Sequence, residues 1–445
     1  MTTPGEAEHL VSGIGLKSDR GENVAVRSTL GDAHYAGLLN KSLKKFFWNT
    51  VKTAVADPAQ ACFFFRTVRW QKRAAQVRLG YAEQGLHVPP ILLYSVTNRC
   101  NLHCKGCYHR ALRGGAGEEL SGDEVRRLVA EATGLGISFI VLAGGEPLVR
   151  PETLEITAAY PDVLFLIFTN GLLIDDDTIS TLKHRRNVVP LISMEGYQSD
   201  TDGRRGSGVN AQIEATVAKL KKAHVFWGTS VTVTTGNFST VTSEAFVSKL
   251  RGLGCKMFFY VEYSPVTEGT EDLVISERQR DDMSVILAGF RSRFPALFIA
   301  VPGDERDFGG CLAAGRGFVH VSADGNVEPC PFVPYSDANV KNMSFKEALQ
   351  SKFLATVRHS SGRFEGQGGC GLWKERAWLE SLLPRKAGES VSPETMSSSA
   401  LAFHRLPGGR AVRVKRTPPR STPAGSPVSS GTPAQATATV SNEHR

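Results

Sequence analysis

Six apolar segments with helical patterns between them constrain the fold of this chain more than any other feature of its sequence. The segments span residues 91–96, 137–143, 163–168, 188–194, 227–235 and 256–263. Helix-start patterns lie between them, such as Ser121 with Glu124 ahead of an apolar run, which form a capping box. Alternating strands and helices predict right-handed βαβ units and a parallel sheet. We therefore expect an α/β fold in which six units curl into a partial (β/α)6 TIM-like barrel.

Three cysteines follow the first predicted strand within one short loop. Cys100, Cys104 and Cys107 are close enough in sequence for three thiolates to hold one metal centre. A tetrahedral zinc site or a closed iron–sulfur cluster takes four protein ligands. A centre with three protein ligands keeps one coordination position open for a substrate or cofactor, as reactive metal sites do. The loop therefore predicts a reactive metal centre with these cysteines as its catalytic residues.

The other predicted strands also end in residues suited to ligand binding. In a parallel barrel these strand ends meet on one rim, where the chemistry is located. Gly144 and Gly145 let the backbone approach a ligand closely, while Glu146 adds a carboxylate and Pro147 fixes the chain direction. The remaining candidates are Thr169, Asn170 and Gly171 after the third strand, Ser193 and Glu195 after the fourth, and Arg205 in the following Gly-rich loop. Simple turns and a solvated loop arginine are the alternative interpretations.

This combination of motifs resembles the radical SAM superfamily over residues 88–383. The motifs are Cys-x3-Cys-x2-Cys, Gly-Gly-Glu-Pro, Thr-Asn-Gly and Ser-Met-Glu-Gly, which follow the first four strands in that order. The resemblance implies that Cys100, Cys104 and Cys107 hold a [4Fe–4S] cluster whose remaining iron binds S-adenosylmethionine (SAM). It implies that an electron from the cluster cleaves SAM to a 5′-deoxyadenosyl radical, which takes hydrogen from a substrate. An electron donor such as a flavodoxin or a ferredoxin is then expected.

The resemblance also assigns SAM contacts to the predicted rim. It implies that the ammonium, carboxylate and ribose of SAM are bound, in that order, by Gly144 to Glu146, by Arg205, and by Ser193 with Glu195. One position departs from the family pattern, because the residue before the third cysteine is usually aromatic and is Gly106 here, with Tyr108 directly after the cysteine. The usual contact near the adenine is therefore expected to differ.

Three further cysteines, Cys311, Cys330 and Cys370, lie towards the C-terminus. The spacing Cys-x13-Gly-x4-Cys from Cys311 through Gly325 to Cys330 resembles the opening motif of SPASM and twitch extensions, which bind auxiliary iron–sulfur clusters. The resemblance implies at most one auxiliary cluster, with Cys370 as its third ligand. It leaves the fourth position to an open iron, a non-cysteine ligand or a substrate. Ordinary reduced cysteines or a zinc site are the alternative.

Composition and pattern divide the chain into five parts. We expect a disordered N-terminus (1–34), a basic amphipathic helical extension (35–87), the barrel (88–304), a small α+β auxiliary-cluster module (305–383) and a disordered Pro/Ser/Thr-rich tail (384–445). Within the module, Asp324-Gly325 predicts a hairpin turn. Ser344 and Glu347 predict a capped helix to about His359.

The helical extension allows two interpretations. Residues 41–83 combine aromatic and basic side chains at helical spacing, and Asp57-Pro58 marks the start of a second helix. The two helices either pack against the main domain or lie on an anionic membrane surface or a partner. Cys62 in this extension and Cys255 on the sixth strand are predicted to be buried thiols.

Charge and cysteine content narrow the cellular context. The net charge of +8 is concentrated in the flanks of the chain, so it gives little support to nucleic-acid binding by the body. No apolar run approaches the ~20 residues of a membrane span, and no secretory signal is visible. Clustered cysteines in such a chain indicate metal ligation in a reducing compartment. We expect a cytoplasmic protein. The alternative is a protein bound peripherally to the membrane.

Two other protein classes compete with a radical enzyme. One is a zinc-stabilised binding protein in which His103 or His109 completes the ligand set of the cysteine loop. The other is an electron-transfer ferredoxin. Within the radical SAM interpretation, the substrate is expected to be a peptide or protein side chain, by analogy with maturases that carry auxiliary modules. A small molecule, a cofactor precursor or a lipid is the alternative substrate.

Overall fold

The computed structural model describes residues 58–113, 117–308, 310–364 and 370–384. These residues all belong to one compact unit, Met1–Val391. The predicted disordered N-terminus, most of the predicted tail and the first of the two predicted helices lie outside the described residues.

A single nine-stranded sheet organises the described part of the chain. Its strands are β1 (Ile91–Thr97), β2 (Phe139–Gly144), β3 (Leu164–Thr169), β4 (Val188–Ser193), β5 (Trp227–Val233), β6 (Cys255–Glu262), β7 (Leu297–Val301), β8 (Phe318–Val321) and β9 (Val327–Glu328). The order across the sheet is β7-β6-β5-β4-β3-β2-β1-β8-β9, so the sheet is open rather than closed. Every neighbouring pair is parallel except β8 and β9. The predicted α/β class with a partial barrel is confirmed, and β7 and β8 extend the six predicted strands on both sides.

Helices precede, connect and follow the strands. They are α1 (Pro58–Glu83), α2 (Tyr108–Arg113), α3 (Gly122–Gly134), α4 (Glu152–Ala158), α5 (Asp176–His184), α6 (Gln198–Arg205), α7 (Val209–Lys222), α8 (Phe238–Val241), α9 (Glu244–Gly252), α10 (Glu277–Arg293), α11 (Phe345–Leu349), α12 (Lys352–His359), α13 (Gly371–Lys374) and α14 (Arg376–Ser381). The capping box predicted from Ser121 and Glu124 starts α3. Asp175 caps α5 through a hydrogen bond from the Thr178 amide.

Two apolar layers hold the sheet, because successive side chains of a strand point to opposite faces. One layer packs the sheet against its helices and includes Leu92, Leu128 and Ile213. The other fills the inside of the barrel and includes Val141, Leu166 and Met257. The wide apolar surface buried on both faces explains why the strands read as continuous hydrophobic runs in the sequence.

Helix α1 packs against the barrel, which confirms the first of the two interpretations for its described residues. Phe64 is fully buried in the inner layer and meets Phe226 edge-on with ring centroids 5.2 Å apart. Nε2 of Gln71 donates to the carbonyl of Ser138 at 3.3 Å, and Oγ of Ser138 donates back at 2.6 Å. Cys62 lies on the outer face of α1 and is exposed. The prediction that Cys62 is a buried thiol is therefore wrong.

Across the described ranges, no helix is both long enough and apolar enough to cross a membrane. Contact of residues 41–83 with a membrane surface stays a prediction. Cys255, at the start of β6, is buried as predicted.

The C-terminal segment is joined to the barrel by its hairpin. The predicted hairpin forms from β8 and β9, and β8 pairs in parallel with β1, so one sheet runs through both regions. The helix predicted from Ser344 to about His359 is broken into α11 and α12. The single-helix prediction is wrong because the hydroxyl of Ser351 caps a new helix by accepting from the Leu354 amide at 3.2 Å.

Candidate active site at the strand ends

The cysteine loop is anchored to the C-terminal end of helix α6. The amide of Lys105 donates to the carbonyl of Arg204 at 2.9 Å, and Nε of Arg204 donates back to the carbonyl of Lys105 at 3.1 Å. Nη1 of Arg205 lies 4.0 Å from Sγ of Cys104. Two guanidinium groups therefore lie beside the cysteine loop, and Arg205 belongs to helix α6 rather than to the predicted Gly-rich loop.

The environment of the thiols balances burial against positive charge. Burial raises the pKa of Cys104, and the charges of Arg205 and Arg204 offset part of that rise. Burial also raises the pKa of Cys100, whose sulfur accepts a hydrogen bond from the Leu102 amide at 3.4 Å. These N–H and guanidinium groups would stabilise thiolates once a metal displaces the protons.

The Gly-Gly-Glu-Pro segment packs closely against residues 97–99, which lead into Cys100. The amide of Gly145 donates to the carbonyl of Thr97 at 2.7 Å, and the amide of Glu146 donates to the carbonyl of Arg99 at 2.9 Å. A Cβ atom on Gly145 would overlap the Arg99 carbonyl oxygen. Only glycine therefore permits this contact, which positions the start of the cysteine loop.

Glu146 connects the ends of β2 and β3. Its carboxylate is 1% exposed and accepts hydrogen bonds from Oγ1 of Thr169 and the amide of Asn170, both at 2.7 Å. Nδ2 of Asn170 donates in turn to Oδ1 of Asn101 inside the cysteine loop at 2.7 Å. Thr169, Asn170 and Glu146 thus form one hydrogen-bonded group beside the cysteines, and the SAM contacts predicted for them stay predictions.

Glu195 is bound by two arginines. Its Oε1 accepts from Nη1 of Arg204 at 2.6 Å and from Nη2 of Arg205 at 2.5 Å, and its Oε2 accepts from the Thr232 amide at 3.1 Å. Burial opposes ionisation, but the two guanidinium groups hold the pKa of Glu195 below its ordinary value. In this structure the carboxylate predicted to reach a ribose therefore orients Arg205, the residue predicted to bind a carboxylate. Ser193 ends β4 next to it and is partly exposed.

Tyr263 occupies the space in front of Gly106. Gly106 has a φ of +63°, and a Cβ atom there would lie 2.9 Å from Oη of Tyr263. Tyr263, which directly follows β6, is 4% exposed, and its hydroxyl is without a hydrogen-bond partner among the described residues. The aromatic ring beside the cysteine loop therefore comes from another strand end and not from position 106.

A buried polar chain runs from the cysteine loop to the C-terminal hairpin. Arg113 of α2 makes a bidentate ion pair with Glu328 of β9. Glu328 also contacts Nδ1 of His320 at 2.8 Å, and Nε2 of His320 lies 2.8 Å from Oγ of Ser95 on β1. His109 lies nearby with both ring nitrogens unpartnered within the described structure. Its ring is buried, which lowers its pKa to about 3.

The three C-terminal cysteines come from separate segments and meet in one apolar cluster. Cys330 follows β9 and is 7% exposed, while Cys311 and Cys370 pack against the same cluster, which includes Phe353 and Leu372. Burial raises the pKa of Cys330, and the charges of Cys370 and Cys311 raise it further. The cysteines that the sequence grouped by spacing alone therefore lie together.

Neither cysteine group is arranged around a single ion. Within the described ranges, no three or more His, Cys, Asp and Glu side chains converge closely enough to hold one metal ion. The thiolates of an iron–sulfur cluster bind different iron atoms and do not need to converge. Soft thiolates suit both zinc and iron–sulfur clusters, so the spread of these side chains is compatible with an iron–sulfur cluster.

Known proteins match this arrangement. The sequence profile described as Radical SAM superfamily matches residues 94–245. The AdoMet-dependent heme synthase of Methanosarcina barkeri is 25% identical over 315 residues, which cover 64% of this chain and 88% of that protein. The mycofactocin maturase MftC of Mycobacterium tuberculosis is 26% identical over 330 residues, covering 69% of this chain and 76% of that protein. The crystal structure of Streptococcus suis SuiB bound to precursor peptide SuiA shares the fold, with a TM-score of 0.53 and 14% identity over 70% of this chain and 75% of that chain.

The open parallel barrel and the three-cysteine loop define an iron–sulfur enzyme. The match to the radical SAM superfamily over residues 94–245 and the similarity to AdoMet-dependent heme synthase indicate an enzyme that uses radical SAM chemistry, with a [4Fe–4S] cluster and SAM as its cofactors. The zinc-binding and ferredoxin interpretations are thereby set aside.

Sequence reasoning missed three residues of the site. Arg204 shares the Glu195 carboxylate, Asn101 links the cysteine loop to β3, and Tyr263 covers Gly106. Each stands next to a residue that the sequence did single out or at the end of a predicted strand. Their positions were visible, but their contacts depend on how the strand ends are brought together.

Proposed function

We propose that Cys100, Cys104 and Cys107 hold the cluster that cleaves SAM. The observation that carries this proposal is the anchoring of their loop by three neighbours: helix α6, the Gly-Gly-Glu-Pro segment and Asn170. When bound, the cluster would supply the electron for reductive cleavage of SAM, the chemistry that starts hydrogen abstraction from a substrate.

The other rim residues orient the cofactor. Gly144 to Pro147 form a close-packed edge at which SAM's amino group can be bound. Glu195 holds the guanidinium groups of Arg204 and Arg205 beside the loop, where they can pair with SAM's carboxylate. Ser193, at the end of β4, offers a hydroxyl to the ribose. These groups are fixed before the cofactor binds, which reduces the entropy lost on binding.

The second proposed centre is an auxiliary iron–sulfur cluster on Cys311, Cys330 and Cys370. The supporting observation is that three sequence-distant thiols share one apolar cluster. Apolar surroundings limit solvent access to such a centre. We expect Cys330→Ala to spare SAM cleavage but to stop productive turnover.

The proposed substrate is a small molecule of the haem-precursor class. This proposal rests on the heme synthase similarity, which covers most of that protein's length. A peptide or protein side chain is the second candidate and is favoured by the similarity to MftC. In both cases the enzyme would abstract a hydrogen atom, and a one-electron donor would be needed.

Cleavage of SAM tests the first proposal. Protein reconstituted anaerobically with iron and sulfide, then reduced with dithionite, should form 5′-deoxyadenosine from SAM. Cys104→Ala should abolish this product, whereas Cys62→Ala should not, because Cys62 is an exposed thiol on α1. An active Cys104→Ala enzyme would contradict the assignment of the cluster loop.

Product analysis separates the two substrate classes. The reduced enzyme and SAM are incubated either with a panel of carboxylated porphyrins or with peptides from the source organism, and mass changes are recorded. A mass change in a porphyrin with stoichiometric 5′-deoxyadenosine supports the haem-precursor proposal. A mass change only in a peptide favours the second candidate.

A further inference from the structure

Glu305 lies beside the three C-terminal cysteines. It belongs to the 3-10 turn Gly303–Phe308 that follows β7. Its Oε1 accepts a hydrogen bond from the amide of Leu312 at 3.3 Å, and Leu312 directly follows Cys311. The carboxylate is therefore held next to the first cysteine of the group.

The other two cysteines belong to the same group of side chains as Cys311. Cys311, Cys330 and Cys370 all pack in one apolar cluster. The Glu305 carboxylate, which is hydrogen-bonded to the residue after Cys311, therefore lies at the edge of the three-cysteine group.

The turn that carries Glu305 is itself fixed. Asp304, the preceding residue, accepts hydrogen bonds from the Ala300 amide at 2.9 Å and from Nη2 of Arg291 at 2.7 Å. The amide of Gly310 donates to the carbonyl of Glu305 at 2.9 Å. These contacts hold the backbone on both sides of Glu305, so its side chain is directed by the fold.

Glu305 differs from the other carboxylate near this group. Both oxygens of Glu262 are bound to the guanidinium of Arg280. Among the described ion pairs, none includes Glu305. The charge of Arg316 acts on Glu305, but in the described part of the chain no guanidinium group binds its two oxygens in the way that Arg280 binds those of Glu262.

We propose that Glu305 is the fourth protein ligand of the C-terminal iron–sulfur cluster, binding through a carboxylate oxygen the iron that the three cysteines leave open. A four-iron cluster presents four iron corners, which four thiolates fill in its common form. With Cys311, Cys330 and Cys370 on three corners, one oxygen ligand completes the set. The inference rests on the proposed auxiliary cluster and adds its missing ligand.

The test uses the full chain with the first cluster removed. In a Cys100→Ala/Cys104→Ala/Cys107→Ala background, anaerobic reconstitution should give about four irons per chain, all from the C-terminal cluster. Cyanide is the probe, because it binds a cluster iron that has an exchangeable position. The EPR spectrum of the reduced cluster should be unchanged by cyanide when Glu305 is present.

Replacing Glu305 should open one corner. In the same background, Glu305→Gln keeps the shape of the side chain but removes the anionic ligand. We expect cyanide to shift its EPR spectrum, and mild oxidation to lower the iron content from about four to about three with a three-iron signal. Glu305→Cys should keep about four irons and resist cyanide, because it supplies a fourth thiolate. Glu268→Gln, in an exposed loop after β6, is the control that should behave as the parent.

The outcomes distinguish the inference from the proposal on which it rests. If Glu305→Gln is as resistant to cyanide and oxidation as the parent, Glu305 is not a ligand. A parent cluster that already responds to cyanide has an open iron and also overturns the inference. If adding Cys330→Ala to the same background leaves the iron content unchanged, the C-terminal cysteines do not hold a cluster. The proposed role of Glu305 as its ligand is then wrong as well.

Discussion

Nη2 of Arg205 lies 2.5 Å from Oε1 of Glu195, and Nη1 of the same guanidinium lies 4.0 Å from Sγ of Cys104. One arginine thus connects a buried carboxylate after β4 to the cysteine loop after β1. Because Glu195 also binds Arg204, both guanidinium groups are oriented before any cofactor is present. The arrangement turns two flexible side chains into fixed positive groups at the rim.

Glu195→Gln should destabilise the protein. The substitution leaves two largely buried guanidinium groups without their counter-charge, and breaking a buried pair costs about 3 kcal/mol or more. Urea unfolding of the iron-free protein, followed by circular dichroism, measures the loss. Glu214→Gln is the matched control, because Glu214 pairs with Lys249 at 2.9 Å on the exposed surface, where an ion pair contributes about 0–1 kcal/mol. If both variants lost the same free energy of unfolding, the stabilising role assigned to the buried Glu195 carboxylate would be wrong.

The stabilisation by Glu195 should depend on pH. Its pKa in the folded state is held below the ordinary value of 4.5, so the unfolded chain takes up the proton first as the pH falls. The contribution is therefore complete above the ordinary pKa and is lost as the pH falls through the folded-state pKa. The difference in unfolding free energy between the wild type and Glu195→Gln should be constant near neutrality and shrink in acid. If this difference in unfolding free energy grew as the pH fell, the predicted direction of the pH dependence would be wrong.

Gly145→Ala should displace the cysteine loop. The new Cβ atom would overlap the carbonyl oxygen of Arg99, so the backbone must shift, which costs about 1–3 kcal/mol. We expect lower thermal stability and loss of most iron from the first cluster, measured by iron analysis after reconstitution. Gly289→Ala in α10 is the control, since a Cβ atom at that position would meet nothing within 4 Å, and it should raise stability by about 0.5–1 kcal/mol. Full iron loading of Gly145→Ala would contradict the prediction.

Tyr263→Phe should not lower the stability of the ligand-free protein. The hydroxyl of Tyr263 is buried without a partner in the described structure, and such a group costs about 1–3 kcal/mol. Its removal should therefore leave the melting temperature unchanged or raise it, as scanning calorimetry can show. Tyr260→Phe is the comparison, because the hydroxyl of Tyr260 donates to the carbonyl of Val241 at 3.1 Å and its loss should lower stability by about 1 kcal/mol. A larger loss in Tyr263→Phe would mean that this hydroxyl has a partner in solution.

Much of the fold could be predicted from local patterns. The six strands from β1 to β6 appear in the sequence as apolar runs because both faces of a parallel sheet are buried. The caps at Ser121 and Asp175 are equally local, since each hydroxyl or carboxylate binds an amide three residues ahead. The break between α11 and α12 was not predicted, because Ser351 could equally continue a helix or cap a new one.

The candidate site divides in the same way. Cys100, Cys104 and Cys107 were evident from spacing, because one loop holds them all. The contacts of Glu195 were not, since the sequence does not say that helix α6 turns Arg204 and Arg205 back onto the end of β4.

The sequence by itself determined the α/β pattern, the cysteine loop and the residues that end each strand, because these depend on neighbours within a few positions. Only the tertiary structure decided which strand ends touch, that β8 pairs with β1, and that cysteines from three distant segments pack in one apolar cluster. Such contacts depend on how the sheet curls and how the connections return to it, and local propensity carries no information about either.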